Sequence, residues 1–301
     1  MIKFIKQVLL FTLIIIIINM ILNHYGNKIY LKSYAKYSLN YNSYILADSH
    51  GLGLGNNFEK HGVYNFYGAS DSYFDMKKKL NFLIKNTTVD TIYISVDDHT
   101  LSKYREKKNN LDRSVIYSTP QDYESYFQYL KDKLIFNIVF LQPKKRTLLK
   151  KYFYSTLKNS NIKHNSNTSW SNKSLVEKLE SSNGRFKGQF NSPTGSKNLK
   201  KTLFEIIDIC RINNIELIGI KFPLSKTYLE ILGDKSYGAS DVFILKNLKI
   251  IDAKNRFINN DNFFLDQDHV NEKGGLELIN FIRKSTLNIS IDTTTIKKQK
   301  K

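Results

Sequence analysis

The hydrophobic pattern is most uniform at the N-terminus. No Lys, Arg, Asp or Glu lies between Lys6 and Lys28, and residues 8 to 22 are apolar except for Thr12 and Asn19, with an unbroken isoleucine run from Ile14 to Ile18. Extended through its uncharged flanks, this stretch approaches the roughly 20 residues that a membrane-spanning helix needs. Lys3 and Lys6 before an apolar core also fit a cleavable signal peptide, but the following NMILNHYGNK lacks a small-x-small cleavage site. An uncleaved single-pass anchor over residues 1–27 is therefore favoured. The long remainder is expected outside the cytoplasm, because long domains translocate largely regardless of flanking charges such as Lys28, Lys32 and Lys36.

Past residue 40 the apolar runs shorten and alternate with helix-period segments. Residues 43 to 47 (SYILA) predict a buried strand ending at Asp48-Ser49-His50, and residues 63 to 67 (VYNFY) predict a second, closed by Gly68-Ala69-Ser70. Phe74, Leu80, Leu83 and Ile84 recur at helical spacing, and residues 91 to 96 (TIYISV) form a β-branched strand ending in Asp97-Asp98-His99. Strand, helix, strand with chemistry-bearing residues at strand C-terminal ends predicts an open, mostly parallel α/β sheet. From 103 to about 196 the pattern weakens. Thr119, with Pro120 in the first turn and Asp122 as capping acid, opens one expected helix, and PKKRTLLKKYFYSTLK reads as another, basic and amphipathic. Residues 159 to 200, rich in Ser, Asn, Lys and Gly and holding the lone Trp170, are either a surface insertion or a substrate-facing lid.

Regular spacing returns with a helix over residues 199 to 213, the strand IELIGIKF, a helix over 225 to 232 and a short strand over 249 to 252. A final helix over 272 to 283 is expected to bury Leu276, Ile279 and Ile282. The implied organisation is the anchor, one α/β domain over 28–291 with a polar insertion around 103–196, and a basic tail over 292–301.

Composition narrows this picture only modestly. With 41% hydrophobic and 13% aromatic residues the chain has material for a real core. Its formal charge of +19 allows an anionic partner. No basic stripe with interleaved aromatics stands out, so nucleic acid is not expected and the charge reads as spread over solvated faces. The single cysteine, Cys210, lies in an apolar run, excludes an intramolecular disulfide and reads as a core residue.

The candidate chemistry lies at two distant points, Ser49 after the first strand and Asp266-x-x-His269 near the C-terminus. A serine hydroxyl becomes a useful nucleophile when an imidazole takes its proton, the role expected of His269. Asp266 would accept from the other ring nitrogen and set tautomer and orientation. A triad of this kind needs no cofactor or metal.

Four blocks in order, ADSHG, YNFYGAS, ISVDDHT and DQDHVNEKG, resemble the SGNH (GDSL-like) hydrolase superfamily, especially its membrane-anchored branch that acylates or deacylates envelope polysaccharides. Asn271 and Gly274 after the Asp-x-x-His strengthen the last block. The resemblance implies a three-layer, flavodoxin-like sandwich and an acyl-Ser49 intermediate in O-acetyl transfer or deacetylation. It also implies an envelope polysaccharide substrate, an acyl donor and a membrane-bound acyl-transfer partner. It places the Gly68 N–H and the residue at position 97 in the oxyanion hole, where loss of one donor costs about 3 kcal/mol. Here the chain departs from the pattern. Asp97 stands where the family has Asn, and Ser95 where it has Gly. An ionised Asp97 accepts and cannot donate, so protonated Asp97, a neighbour such as His99, or a shifted alignment would be required.

Other assignments of these residues exist. Asp268 competes with Asp266 as partner of His269, while His50, His61 and His99 read as structural or solvated. Asp48-x-His50, Asp97-Asp98-His99 and Asp268-His269 supply enough ligands for a dinuclear phosphoesterase, although no Gly-Asp-x-x-Asp or Gly-Asn-His segment accompanies them. Gly51, Gly53 and Gly55 match neither a dinucleotide fingerprint nor a P-loop. An anchored, non-catalytic envelope-assembly scaffold with a decayed site is the remaining alternative.

Overall fold

The computed structural model describes residues 1–158 and 169–298. Its strands are β1 (Ser43–Leu46), β2 (Val63–Asn65), β3 (Thr91–Ser95), β4 (Glu216–Lys221) and β5 (Lys249–Asp252). The helices before β4 are α1 (Ile2–Tyr30), α2 (Tyr73–Asn86), α3 (Lys103–Lys107), α4 (Leu111–Ser114), α5 (Tyr126–Asn137), α6 (Pro143–Lys158), α7 (Leu175–Gln189) and α8 (Lys197–Ile212). After β4 come α9 (Lys226–Leu232), α10 (Ala239–Leu245) and α11 (Glu272–Lys298). The chain divides into two compact units, Met1–Tyr37 with Leu111–Ser166, and Ser38–Asn110 with Asn167–Lys301.

The second unit is α/β. Its five strands are all parallel in the order β2-β1-β3-β4-β5, with Tyr44 opposite Ile92 and Ile92 opposite Leu217. Alternate side chains leave opposite faces of the sheet, and both faces are covered. Ile45, Tyr93, Ile218, Ile220 and Ile251 pack with Leu278, Ile279 and Ile282 of α11. The other face carries the paired helices α2 and α8, with Phe243 of α10 against Gly219, where even a β-carbon would come within 3.0 Å of the ring. Helices on both faces of a parallel sheet give the expected three layers. In this order the chain steps from β1 out to β2 and returns to β3, so the crevice between the C-terminal ends of β1 and β3 is the topological switch point. Ser49 and Asp97 leave the sheet there.

Several elements differ from the pattern-based expectation. The final helix continues to Lys298, and its buried stripe is Leu278, Ile279 and Ile282 while Leu276 is exposed. The Thr119–Asp122 capping box forms, but it caps only the 3₁₀ turn Pro120–Asp122, and Ser125 caps a new helix at Tyr126. Within the polar stretch, Trp170 is fully buried in the core beside α11, and α7 is a regular helix opened by a Ser174–Glu177 capping box. Residues 159–168 of that stretch and 299–301 of the basic tail lie outside the described residues.

The first unit is helical. α1 is long and apolar enough to cross a membrane by length and composition, and residues 1 to 18 are exposed on every side. Its C-terminal part packs on α6, while Leu31, Val115 and Phe136 form a small core.

Candidate active site

β1 ends in a 3₁₀ turn, Ser49–Leu54, whose N-cap Asp48 accepts from the His50 N–H through Oδ1 at 2.9 Å. The turn sends Asp48 and His50 inward and leaves Ser49 half-buried at the surface. Asn65, the last residue of β2, holds it from the side, donating to the carbonyls of Gly51 (2.9 Å) and Gly55 (3.0 Å). The N-terminus of α11 closes against the same turn backbone to backbone. A β-carbon on Gly275 would lie 1.7 Å from the Gly53 carbonyl oxygen, and one on Gly53 would lie 2.4 Å from that of Val270. Glycine at both positions is what allows the segment carrying His269 to reach the segment carrying Ser49.

The outcome is a short relay. His269 Nε2 is 2.8 Å from Ser49 Oγ, and His269 Nδ1 is 2.8 and 2.9 Å from the two oxygens of Asp266. Asp266 also accepts from the backbone N–H groups of Asp268 and His269, which fixes its carboxylate. A carboxylate only accepts, so Nδ1 keeps its proton, and when His269 is neutral it presents an Nε2 lone pair to the serine.

Beneath the relay lies a layer of buried charge. Asp268 Oδ1 stands 3.3 Å from His269 Nδ1, and Asp268 Oδ2 accepts from Arg185 (2.6 Å) and Gln189 (3.1 Å) of α7. His50 spans the layer with Nδ1 at 2.8 Å from Asp97 and Nε2 at 3.4 Å from Asp268. Asp48 Oδ2 accepts from Arg105 (2.8 Å) and His99 (3.2 Å). Burial works against charge on His269, yet Asp268, helped by the bonds to Asp266, pushes its pKa up to about 9. Burial also opposes a charged His50, but Asp48 and Asp97 outweigh it and raise its pKa well above the usual range, in keeping with two ring nitrogens that both face carboxylates. For Asp268 and Asp48 burial would raise the pKa, but His269, His50 and Arg185 hold the first, and His50, Arg105 and His99 the second, well below the ordinary carboxylate range. Burial depresses His99, which donates to Asp48 as a neutral ring.

The two residues expected at the oxyanion are engaged elsewhere. The Gly68 N–H donates to the Ala47 carbonyl at 3.0 Å, continuing the β1–β2 ladder one step past Phe66. Asp97 accepts from the Phe222 N–H through Oδ1 at 2.7 Å and faces His50 with Oδ2, so it is a buried acceptor in place of a donor. Among the described residues the Ser49 N–H, at the first position of its turn, has no acceptor.

Two triples, Asp48/His50/Asp97 and His50/Asp268/His269, bring ligand atoms close enough to share an ion. Their donors fit a metal poorly. Arg105 and Arg185 already sit on Asp48 Oδ2 and Asp268 Oδ2, and each guanidinium supplies the positive charge a cation would bring. Arg105, Arg185 and Gln189 were not singled out by sequence reasoning. The Ser174-x-x-Glu177 capping signature could have located α7, but nothing in its pattern says which face meets Asp268.

No family model and no curated protein matches the chain. Among solved structures, a Bacteroides fragilis protein provisionally described as an acylhydrolase aligns with a TM-score of 0.40 at 7% identity, over 87% of this chain and 95% of that one.

Proposed function

We propose that this protein performs serine-dependent ester chemistry through an acyl-Ser49 intermediate. The observation that carries the reading is the continuous relay from Ser49 Oγ through His269 to Asp266, with both steps at 2.8 Å, built from residues 220 positions apart in the chain. Ser49 Oγ attacks the acyl carbon and its proton passes to His269 Nε2. The leaving alcohol takes that proton as the ester bond breaks. A second hydroxyl, from a sugar or from water, then attacks the acyl-enzyme and returns its proton through His269. The Ser49 N–H serves as an oxyanion donor.

The four sequence blocks and the apolar α1 direct this chemistry towards O-acetyl groups on a cell-envelope or exported polysaccharide, with the α/β unit on the extracytoplasmic side. Transfer and hydrolysis differ only in which hydroxyl attacks the acyl-enzyme. Intact mass spectrometry after exposure to an activated acetyl ester should show one acetyl adduct, located at Ser49 by peptide mapping. The adduct should vanish in Ser49→Ala and be strongly slowed in His269→Ala. Full acetylation of Ser49→Ala at the wild-type rate would remove the acyl-serine reading.

A further inference from the structure

We propose that the turn joining α5 to α6 and the outer face of α5 are a second membrane contact, bedded in lipid beside α1. The inference is independent of the chemistry at Ser49. It starts from depth. Only residues 7 to 27 separate the charged Lys6 from Lys28, so a span of about 20 residues must use nearly all of them. Asn19, nine positions before Lys28, then lies about 13 Å inside that charge along the helix axis. Asn19 is also where α1 first meets protein. Its side chain donates to the Asn137 carbonyl and accepts from the Val139 N–H, both at 3.0 Å. Asn23 and Gly26 continue the same stripe at helical spacing, Asn23 bonding Asn137 and Lys145, and Gly26 lying against the Lys145 stem and Leu149. Groups bonded to Asn19 share its depth, so the 3₁₀ turn Val139–Leu141 sits at the level of the apolar run.

The surface at that level suits lipid. Phe140 and Leu141 at the turn are 56% and 52% exposed and Leu134, one turn before the end of α5, is 60% exposed, while Leu130 and Phe127, 45% and 77% exposed, continue the stripe towards the headgroup layer beside the exposed Lys131. The inward positions Phe136, Val139 and Leu149 are buried. Backbone groups cannot remain unpaired in hydrocarbon, and here the freed carbonyl and N–H at the end of α5 are satisfied by the Asn19 side chain in place of water. Charge then follows depth. α6 runs in the same direction as α1, with Lys145 beside Asn23 and Leu149 beside Gly26, so it climbs away from the turn. The exposed Lys150 and Lys151 farther along it meet the headgroup layer, where cations are favoured, while nearer the turn Arg146 reaches back to donate to the Phe140 carbonyl at 3.2 Å and Lys144 pairs with Asp112 at 3.1 Å. Continuity with the fully exposed isoleucine run of α1 selects lipid as the occupant over a protein partner or a second copy.

The test uses the full chain in dilute proteoliposomes of phosphatidylcholine and phosphatidylglycerol. Nitroxide labels are placed on Leu134→Cys, Phe140→Cys and Lys151→Cys, with Ile16→Cys and Val176→Cys as references. The native thiol, Cys210, is buried, which directs labelling to the introduced cysteine. Relaxation by oxygen should exceed relaxation by a water-soluble nickel chelate at Ile16, Leu134 and Phe140. The balance should shift towards nickel at Lys151 and reverse at Val176. Nickel accessibility at Leu134 and Phe140 equal to that at Val176, with Ile16 in lipid, would overturn the proposal. Protection of both positions from both reagents would also overturn it, showing protein on that face. Nickel access at Ile16 would remove the anchor and the proposal together.

Discussion

At His269 two carboxylates share one ring nitrogen, Asp266 at 2.8 Å and Asp268 at 3.3 Å, and the second is fully buried. The consequence is a pH dependence with a definite sign. A general base works only when neutral, and His269 is held protonated up to about pH 9. The rate of Ser49 acylation should therefore rise through neutral pH towards a plateau near or above 9. Asp268→Asn removes the strongest influence raising that pKa, so its rising limb should move to lower pH in blank-corrected acetyl-ester kinetics. An unchanged limb would show that another group titrates. Asp97 makes a second prediction at this scale. Both its oxygens accept, from His50 and from the Phe222 N–H, so Asp97→Asn should lose a charge-assisted bond worth about 1.5–3 kcal/mol in denaturant titration. Activity should fall at every pH. Undiminished stability with raised turnover would return position 97 to the oxyanion hole.

At the scale of elements, the contact that decides the site is between the turn after β1 and the N-terminus of α11. Gly275→Ala puts a β-carbon into the Gly53 carbonyl and can be accommodated only by moving one segment away from the other. It should cost about 1–3 kcal/mol by the usual scale of overpacking, about 2–12 °C in Tm, and abolish Ser49 acylation because the relay opens. Gly188 on α7 is the matched control. Nothing lies within 4 Å of its would-be β-carbon, so Gly188→Ala should stabilise the protein by about 0.5–1 kcal/mol through helix propensity. Equal effects of the two substitutions in thermal unfolding would contradict the close approach. α7 shows why the polar stretch resisted reading. It places Arg185 and Gln189, one helical turn apart, on the same oxygen of Asp268, and that function leaves no hydrophobic period in the sequence.

For the whole molecule, α1 has two parts with different roles. Residues 1 to 18 are exposed, whereas Asn19, Asn23 and Gly26 complete the helical unit. The full chain should stay in the membrane pellet through alkaline extraction. Removal of residues 2–18 should leave the helical unit folded in detergent. Removal of residues 2–27 strips the partners of Asn137, Val139 and Lys145, a loss of about 1 kcal/mol per hydrogen bond beyond the lost packing. Limited proteolysis within residues 111–158 should then accelerate for the longer deletion alone. Equal protection in both would place the boundary of the anchor after residue 27.

What the chain encodes locally could be read without coordinates. The apolar run of α1 declares its length and its need for a nonpolar environment. The short apolar runs of β1, β3 and β4 declare buried strands, and Thr119–Asp122 declares a cap, because each depends on neighbours a few residues away. The blocks around Ser49 and Asp266–His269 were visible for the same reason. That they meet was expected from the order of the blocks, but the two glycine contacts that bring the distant segments together were not legible. Nor could sequence show that Gly68 and Asp97 are consumed by the ladder and by His50, or that α7 delivers two donors to Asp268. Those outcomes follow from which backbone and side-chain groups the packed sheet and helices bring within hydrogen-bonding distance, and only the tertiary structure decides that.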